Sequence, residues 1–332
     1  MRDTPNGTTS DTIARAERPE TSAAVAVDRE GRTWRLGLVI AVVAAAACCV
    51  GQPASASQLI DRDATDVQLA VNTKGEALLT YHAGGQLKHV LAWGALNAIA
   101  PTRARKQTAF QLDYSGGYGR YHRDYWQTFQ NSCTPYSGPS LIWAVAACTA
   151  SDGTFWALQS WQRDLPDLGV HPTVAQAAWE LRLSHWSGPI AQLDIQTDWA
   201  YRRYDQLFGT LLYDSQPQHG FGSTSGGQPL DTFGRNIYLD TDNSAYGPGW
   251  KRENSFLTHT PTGAFCYGVF PHQNGSTRPA GKGSNYRATV IGPGVTPDVT
   301  WEGPAPGAYN RQSDAQANNA IRALNDPLCK PN

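Results

Sequence analysis

Three carboxylates on two successive predicted strands have the residue type and spacing that acid–base catalysis requires. Glu180 lies in the segment 179–185, and Asp194 and Asp198 lie in the segment 192–199. Enzymes that cleave polysaccharides hold two carboxyl groups roughly 5 to 10 Å apart. Asp194 and Asp198 would be about 13 Å apart along one strand, so Glu180 would have to approach one of them across the sheet. The other interpretation is an ordinary solvated sheet face with salt bridges.

Aromatic and basic side chains near these carboxylates could bind a carbohydrate. Aromatic rings offer flat apolar surfaces with polar tips, and arginine offers a rigid fork of donors. The predicted ligand-binding residues are Arg182, Trp186, Trp199, Tyr201 and Arg202. Two function hypotheses follow. The favoured one is a secreted, non-catalytic protein that binds a glycan or another cell-envelope component, and the alternative is a secreted polysaccharide hydrolase or lyase.

The stretch YLDTDNSAYGPGW carries oxygen-bearing side chains at the spacing of a calcium loop. Asp240, Asp242 and Asn243 would supply the ligands. In an EF-hand loop, however, the turn glycine would fall on Ala245 and the bidentate acid on Lys251, and neither residue fits. We therefore predict a polar turn whose Asp and Asn side chains bond to the backbone, with an irregular calcium site as the alternative. No other cofactor is predicted.

An apolar run near the amino terminus predicts export. Residues 36–50 are uncharged and apolar, with arginines before them and Pro53-Ala54-Ser55-Ala56 after them. These are the parts of a secretory signal peptide cleaved after Ala56. The run is shorter than the roughly 20 apolar residues of a membrane span, so an uncleaved membrane anchor is the alternative. We thus divide the chain into a disordered leader plus signal peptide, 1–56, and one secreted β-rich domain, 57–332.

The cysteines of the predicted secreted domain suit an oxidising compartment. Four remain after residue 56: Cys133, Cys148, Cys266 and Cys329. An even number in an exported chain predicts two disulfides, for which three connectivities exist. We predict Cys133–Cys148 and Cys266–Cys329, because each pair then staples a segment to its own neighbour.

The charge of the chain argues against nucleic acid as a partner. Lys and Arg together number 27 against 28 Asp and Glu, which gives a net charge of -1 at pH 7. The basic residues are also scattered along the sequence. Binding to a phosphate backbone requires a concentrated basic patch, and the sequence has none.

Short apolar segments separated by Gly, Asn, Asp and Pro predict strands throughout the secreted domain. The predicted strands are 67–71, 76–82, 87–93, 141–148, 155–163, 179–185, 192–199, 207–213, 236–240, 254–259, 264–270 and 286–291. The strict alternation of 179–185 and 192–199 predicts two neighbouring strands with one face in water. The segment from Lys251 to Asn254 has no clean apolar face, which predicts either an edge strand or a buried pair of Arg252 with Glu253.

Two helices are predicted beside the strands. Aromatic residues recur along one side of 120–129, which predicts a short internal helix. Near the carboxyl terminus, Ser313 is a helix-capping residue and Pro327 ends the helical pattern. The predicted fold is therefore mainly β, an antiparallel β-sandwich with a short internal and a short C-terminal helix, and barrel-like closure is the alternative.

Several tryptophan-containing segments carry a resemblance that covers most of the secreted domain. They include Trp161-Gln162-Arg163, Trp179-Glu180-Leu181, Leu183-Ser184-His185-Trp186, Phe233-Gly234-Arg235-Asn236 and the run from Trp250 to His259. The chain resembles uncharacterised secreted proteins of high-GC Gram-positive bacteria. This resemblance implies export but attaches no activity, so no catalytic residue is carried over from it.

Overall fold

A computed structural model describes residues 57–97, 108–162, 178–218, 235–256, 262–269, 283–327 and 329–331. They belong to one compact unit, Pro53–Asn332. Neither helix within these ranges is long and apolar enough to cross a membrane. The predicted leader and signal peptide, 1–56, and the predicted strand ends at 163, 257–259 and 270 lie outside the described residues, so the alternatives of a cleaved signal and an uncleaved anchor both stay predictions.

The first half of the described chain folds into two antiparallel sheets, A and B. Sheet A consists of β1 (Gln58–Arg62), β6 (Thr134–Pro135), β7 (Ala144–Thr149), β8 (Phe155–Gln162) and β9 (Trp179–Trp186), in the order β1-β9-β8-β7-β6. Sheet B consists of β2 (Thr65–Val71), β3 (Glu76–Ala83), β4 (Gln86–Gly94) and β5 (Phe110–Asp113), in sequence order.

Sheets A and B pack face to face around an apolar core. Alternate residues of β8 and β9, Trp156 and Leu158 with Leu181 and Leu183, are completely buried between the sheets. Sheet B contributes its own alternate residues, such as Leu79, to the same core. This period of two is the pattern that predicted the strands, and it leaves the other face of sheet A available for a second contact.

The second half forms another pair of antiparallel sheets, C and D. In sheet C, β11 (Tyr204–Tyr213) pairs with β10 (Gln192–Ala200), β12 (Gln216–Pro217) and β15 (Ala264–Val269). Sheet D consists of β13 (Ile237–Asp242), β14 (Trp250–Phe256), β16 (Asn285–Val290) and β17 (Val299–Pro304), in the order β14-β13-β16-β17. Ile195, Leu207, Leu239 and Val290 are among the buried residues between these two sheets.

One predicted strand pairing is wrong. The strands β9 and β10 are consecutive in the sequence, and we predicted that they are neighbours in one sheet. β9 instead pairs with β8 and β1 in sheet A, whereas β10 pairs with β11 in sheet C. The chain leaves the first sandwich after Trp186, because residues 187–191 carry it from one core to the other.

The helices differ in detail from the prediction. The predicted internal helix is two short turns, α1 (Tyr118–Tyr121) and a 3₁₀ turn (Tyr125–Thr128), and a further 3₁₀ turn lies at Ser244–Tyr246. The C-terminal helix α2 (Arg311–Ala323) is capped by Asn310, whose Oδ1 accepts hydrogen bonds from two backbone N–H groups. The predicted cap, Ser313, lies inside the first turn of the helix.

Helix α2 covers the outer face of sheet C. Its apolar stripe, which includes Ile321, packs against Phe208 and Ala264 of the sheet. A disulfide between Cys266 on β15 and Cys329 after the helix fastens this layer, with Cα atoms 5.5 Å apart. The second disulfide joins Cys133 and Cys148, with Cα atoms 5.7 Å apart. Both pairs are those that the sequence predicted.

The mainly β, sandwich architecture is confirmed, and every described sheet is open rather than closed like a barrel. The chain builds two sandwiches rather than one, A on B and C on D, with α2 on the far side of C. The outer face of sheet A meets the outer face of sheet D, where Trp161 packs edge-on against Tyr238 with ring centroids 5.0 Å apart. This contact positions the candidate site.

Candidate functional site

A pocket of about 100 Å³ lies where the outer faces of sheets A and D meet. Its lining consists of four tryptophans, Trp143, Trp161, Trp179 and Trp250, together with Gln162, Asp240, Arg252 and Arg287. Both sandwiches therefore contribute to the pocket. Trp161 and Trp179 belong to sheet A and Trp143 directly precedes its strand β7, whereas Trp250 and the charged groups belong to strands of sheet D.

The strand register of sheet D places the charged groups of the pocket side by side. Asp240 on the central strand β13 stands opposite Arg287 on β16 and opposite Arg252 on β14. The second pairing depends on a register shift in β14, where Leu239 pairs with Asn254 but Asp240 already pairs with Arg252. Glu253 is the extra residue of this β-bulge, and without the bulge it would stand opposite Asp240 in place of Arg252.

Asp240 forms an ion-paired triad with the two arginines. Nε of Arg252 donates to Oδ1 of Asp240 at 2.6 Å. Nε and Nη2 of Arg287 donate to Oδ2 at 3.1 and 2.9 Å. The side chains of Arg252 and Asp240 are 7% and 6% exposed and that of Arg287 is 12% exposed, so this is a buried charge network. Such charges require good pairing, because their removal from water is costly.

Aromatic rings surround the arginine side chains. The guanidinium carbon of Arg287 lies 4.8 Å from the ring centroid of Trp143 and 4.6 Å from that of Trp250. The guanidinium carbon of Arg252 lies 4.9 Å from the ring centroid of Tyr238. Arginine above an aromatic face is held both by the charge–quadrupole attraction and by the stacking of two planes. The rings therefore fix the direction in which the guanidinium edges point.

Hydrogen bonds between the two sandwiches fix the pocket floor. Nε1 of Trp161 donates to Oδ2 of Asp298 at 2.8 Å, and Gln159 exchanges two hydrogen bonds with the backbone of Asp298 at 3.0 and 2.9 Å. Arg252 also donates from Nη2 to the carbonyl oxygen of Gln162 at 2.9 Å. Since these groups are buried and paired, the two sandwiches are locked together at this point, and the pocket does not need to be assembled by a ligand.

The calcium alternative is not supported by this geometry. Both carboxylate oxygens of Asp240 accept hydrogen bonds from arginine, and Oδ1 of Asn243 accepts one from the N–H of Ala245. Asp242 alone remains of the three proposed side-chain ligands, whereas calcium takes roughly six to eight oxygen ligands. Within the described ranges, no group of three or more His, Cys, Asp and Glu side chains is placed to hold a metal ion. Residues 243–249 form a turn, in which the Asn243 side chain bonds to the backbone as predicted and Gly247 and Gly249 have positive φ. Asp240 and Asp242 lie in strand β13 instead, and the prediction of a side-chain bond to the backbone is wrong for Asp240, which bonds to arginine.

The three carboxylates of the hydrolase hypothesis do not converge. Glu180 is in sheet A, where its Oε2 accepts hydrogen bonds from Nε and Nη2 of Arg182 at 3.0 and 2.9 Å. Asp194 and Asp198 are in sheet C, on the other sandwich. Asp194 is exposed, whereas Asp198, which the alternation places in solvent, is buried beneath helix α2. The prediction failed because it rested on a pairing of β9 with β10.

The predicted ligand-binding residues are likewise divided between the two sandwiches. Arg182 is buried in its pair with Glu180, and Trp186 is completely buried against Phe155 and Tyr136. Trp199 donates from Nε1 to the carbonyl oxygen of Gly307 at 2.9 Å. Tyr201 and Arg202 are exposed, but they form the β10–β11 turn, and neither lines the pocket.

Sequence reasoning missed the residues that do line the pocket. Arg252 was noted for the mixed pattern of its strand and Asp240 as a residue of a polar turn or a calcium ligand, but Arg287 was not singled out. Charged residues within otherwise apolar strand segments were the feature of the sequence that could have indicated these pocket residues. Strand arginines on a covered face need an acidic partner, and Asp240 on the neighbouring strand is that partner.

Comparison with known proteins gives no match, because no protein-family model, curated protein or solved structure is similar to the chain. The class that the fold defines is a mainly β, disulfide-bonded protein of two stacked sandwiches. The resemblance to secreted proteins of high-GC Gram-positive bacteria stays a prediction.

Proposed function

We propose that the protein binds a glycan, without cleaving it, in the pocket between sheets A and D. The observation that carries the proposal is the combination of four tryptophans with a preformed arginine–aspartate–arginine triad. Planar polar side chains next to indole rings suit a ligand that has both apolar faces and hydroxyl edges. The two disulfides fit the extracellular setting in which such ligands occur.

The exposure of the tryptophans supports a ligand that lies across the mouth of the pocket. Trp161 is 2% exposed and belongs to the floor, whereas Trp179 is 45% exposed. Trp143 and Trp250 are half-buried and stack on Arg287. The volume of about 100 Å³ is below the roughly 300 Å³ at which pockets for whole small molecules begin. We infer that one end of a chain enters the pocket and that the rest stacks on Trp179 and Trp250.

The carboxylates argue for binding rather than catalysis at this place. Asp240 is the single acid among the described lining residues, and both of its oxygens are engaged by arginine. Hydrolysis of a glycosidic bond by the common mechanism needs two carboxyl groups, one of them protonated at the start of the reaction. The pocket therefore lacks, among its described lining residues, the second carboxyl group that this mechanism needs.

The test is binding of the purified protein to a panel of bacterial and plant polysaccharides by affinity electrophoresis, followed by titration calorimetry on any polymer that retards it. We expect Trp179→Ala and Trp250→Ala each to weaken binding by about 2 kcal/mol, roughly 30-fold, because exposed aromatic anchors dominate such interfaces. Trp126→Ala is the matched control, since Trp126 is an exposed tryptophan like Trp179, at 36% against 45%, but stacks on His89 of sheet B.

Two outcomes would refute the proposal. One is that no polymer retards the wild-type protein. The other is that Trp126→Ala weakens binding as much as Trp179→Ala does, which would place the ligand elsewhere. An assay for new reducing ends accompanies the titrations, and their appearance in proportion to enzyme concentration would show that the protein cleaves its ligand.

A further inference from the structure

A pair of buried carboxylates lies on the other side of the second sandwich, between sheet C and helix α2. Asp198 on β10 is 1% exposed. Neither of its carboxylate oxygens receives a hydrogen bond from any residue that the structure describes. A buried carboxylate without donors is rare, because its removal from water is then uncompensated.

The second carboxylate belongs to Asp314 in the first part of α2. Asp314 is 9% exposed, and its Oδ1 also has no donor within the described ranges. Its Oδ2 accepts a hydrogen bond from the hydroxyl of Tyr309 at 3.3 Å. Three carboxylate oxygens, two from the strand and one from the helix, are therefore buried without a protein donor.

These two groups are close enough to influence each other. Burial raises the pKa of Asp198 to about 6, and the negative charge of Asp314 adds to this effect. The backbone N–H of Trp199 acts in the opposite direction, although it does not meet hydrogen-bond geometry. Two carboxyl groups thus share a covered space between β10 and helix α2, and their negative charges repel each other unless a positive charge joins them.

We propose that Asp198 and Asp314 hold a calcium ion that ties helix α2 to sheet C. Calcium takes oxygen ligands from carboxylates, amide side chains and backbone carbonyls in flexible geometry. Asn318, one helical turn after Asp314, is also buried on the same helix face, so polar side chains line this side of α2. Cys266 and Cys329 of the same layer cannot supply thiolate ligands, because they are joined in a disulfide. The ion and the disulfide then fasten the same layer at different points.

The proposal is tested by thermal unfolding of the whole protein at pH 7.5, first with the chelator EGTA and then with calcium chloride. At a calcium concentration a hundredfold above the Kd from calorimetry, we expect the Tm of the wild type to rise by about 5 to 10 °C. Asp198→Asn and Asp314→Asn should each abolish this rise. Asp194→Asn, an exposed change on the same strand, should keep it in full.

Measurements in EGTA show whether the variants fold. Asp198→Asn and Asp314→Asn each remove one of two adjacent buried charges, so their Tm in chelator should equal or exceed that of the wild type. The proposal would be overturned if calcium did not raise the Tm of the wild type, or if it still raised the Tm of Asp198→Asn. A third outcome would also overturn it, namely a wild-type Tm that falls as the pH rises through about 6 and does so to the same extent with and without calcium. The two carboxyl groups would then share a proton instead of holding a calcium ion. Glycan binding at the tryptophan pocket should not respond to EGTA, which keeps the two proposals separate.

Discussion

Replacement of Asp240 by asparagine is the change that most directly tests the organisation of the tryptophan pocket. Asp240 supplies both acceptors of the triad, one to Arg252 and one to Arg287. Asparagine has nearly the same shape but keeps only one oxygen. Its amide nitrogen would face a guanidinium group, so one arginine loses its acceptor and both lose the negative charge of Asp240.

The expected loss of stability follows from the burial of the two arginines. Removal of one partner from a buried ion pair costs about 3 to 5 kcal/mol, since the remaining charge is uncompensated. We expect the lower end of this range, because Arg252 keeps its hydrogen bond to the carbonyl of Gln162 and Arg287 keeps an ion pair with Glu302 at 3.6 Å. At 2 to 4 °C per kcal/mol, a loss of about 3 kcal/mol corresponds to a Tm decrease of roughly 6 to 12 °C.

The assay is urea unfolding followed by tryptophan fluorescence, with thermal unfolding as a second measurement. Asp242→Asn is the matched control. It removes the same charge from the same face of β13, where the Asp242 side chain makes no hydrogen bond or ion pair with the described residues. The control should stay within about 0.5 kcal/mol of the wild type.

Equal stability of Asp240→Asn and Asp242→Asn would refute the triad. A second result would restore the calcium loop that the sequence offered as an alternative. In that result, Asp240→Asn and Asp242→Asn would both lose the calcium-dependent rise in Tm, whereas Asp198→Asn would keep it.

Two further predictions concern the first sandwich. Glu180→Gln should lower the free energy of unfolding, measured in urea, by about 3 kcal/mol, because Arg182 is buried beside Glu180. The control Asp194→Asn changes an exposed residue and should leave that free energy within about 0.5 kcal/mol of the wild type. Equal free energies of the two variants would mean that the Glu180–Arg182 pair does not stabilise the fold. Burial holds the pKa of His185 below its ordinary value of 6.5, so the unfolded chain binds more protons and stability should fall as the pH drops below 6.5. Between pH 8 and pH 5, the Tm of His185→Gln should fall less than that of the wild type. The Tm of His122→Asn, which changes an exposed histidine, should fall as much as that of the wild type. Equal slopes of Tm against pH in both variants would contradict this assignment.

The strands of this protein could be predicted because their cause is local. Segments such as 155–163 and 192–199 alternate with a period of two or end at glycine and asparagine turns, and both become strands, β8 and β10. The helix α2 was equally visible, since apolar residues recur along it at helical spacing. Strands with little alternation were missed, among them β1 and β17, because nothing in their own sequence separates them from loops.

The partners of the strands could not be predicted in the same way. Adjacent strands in the sequence usually pair, and this tendency suggested that Glu180 and Asp198 share a sheet. The chain instead changes sandwich between β9 and β10, a choice that depends on which apolar faces fit together. Asp198 shows the result most clearly, because its outward position on β10 is covered by a helix more than a hundred residues later in the sequence.

The sequence by itself determined the mainly β class, the positions of most strands, the even number of cysteines and the polar turn after Asp242, because each depends on residues near one another in the chain or on simple counting. The pairing of Cys266 with Cys329, 63 residues apart, was one of three possible connectivities, and the fold decided it. Tertiary structure alone decided that Asp240 meets two arginines. The bulge at Glu253 turns Arg252 toward Asp240, and a one-residue change of register in a strand moves its side chains to the opposite face. Register is set by packing across the whole sheet, so the pocket exists only in the folded protein.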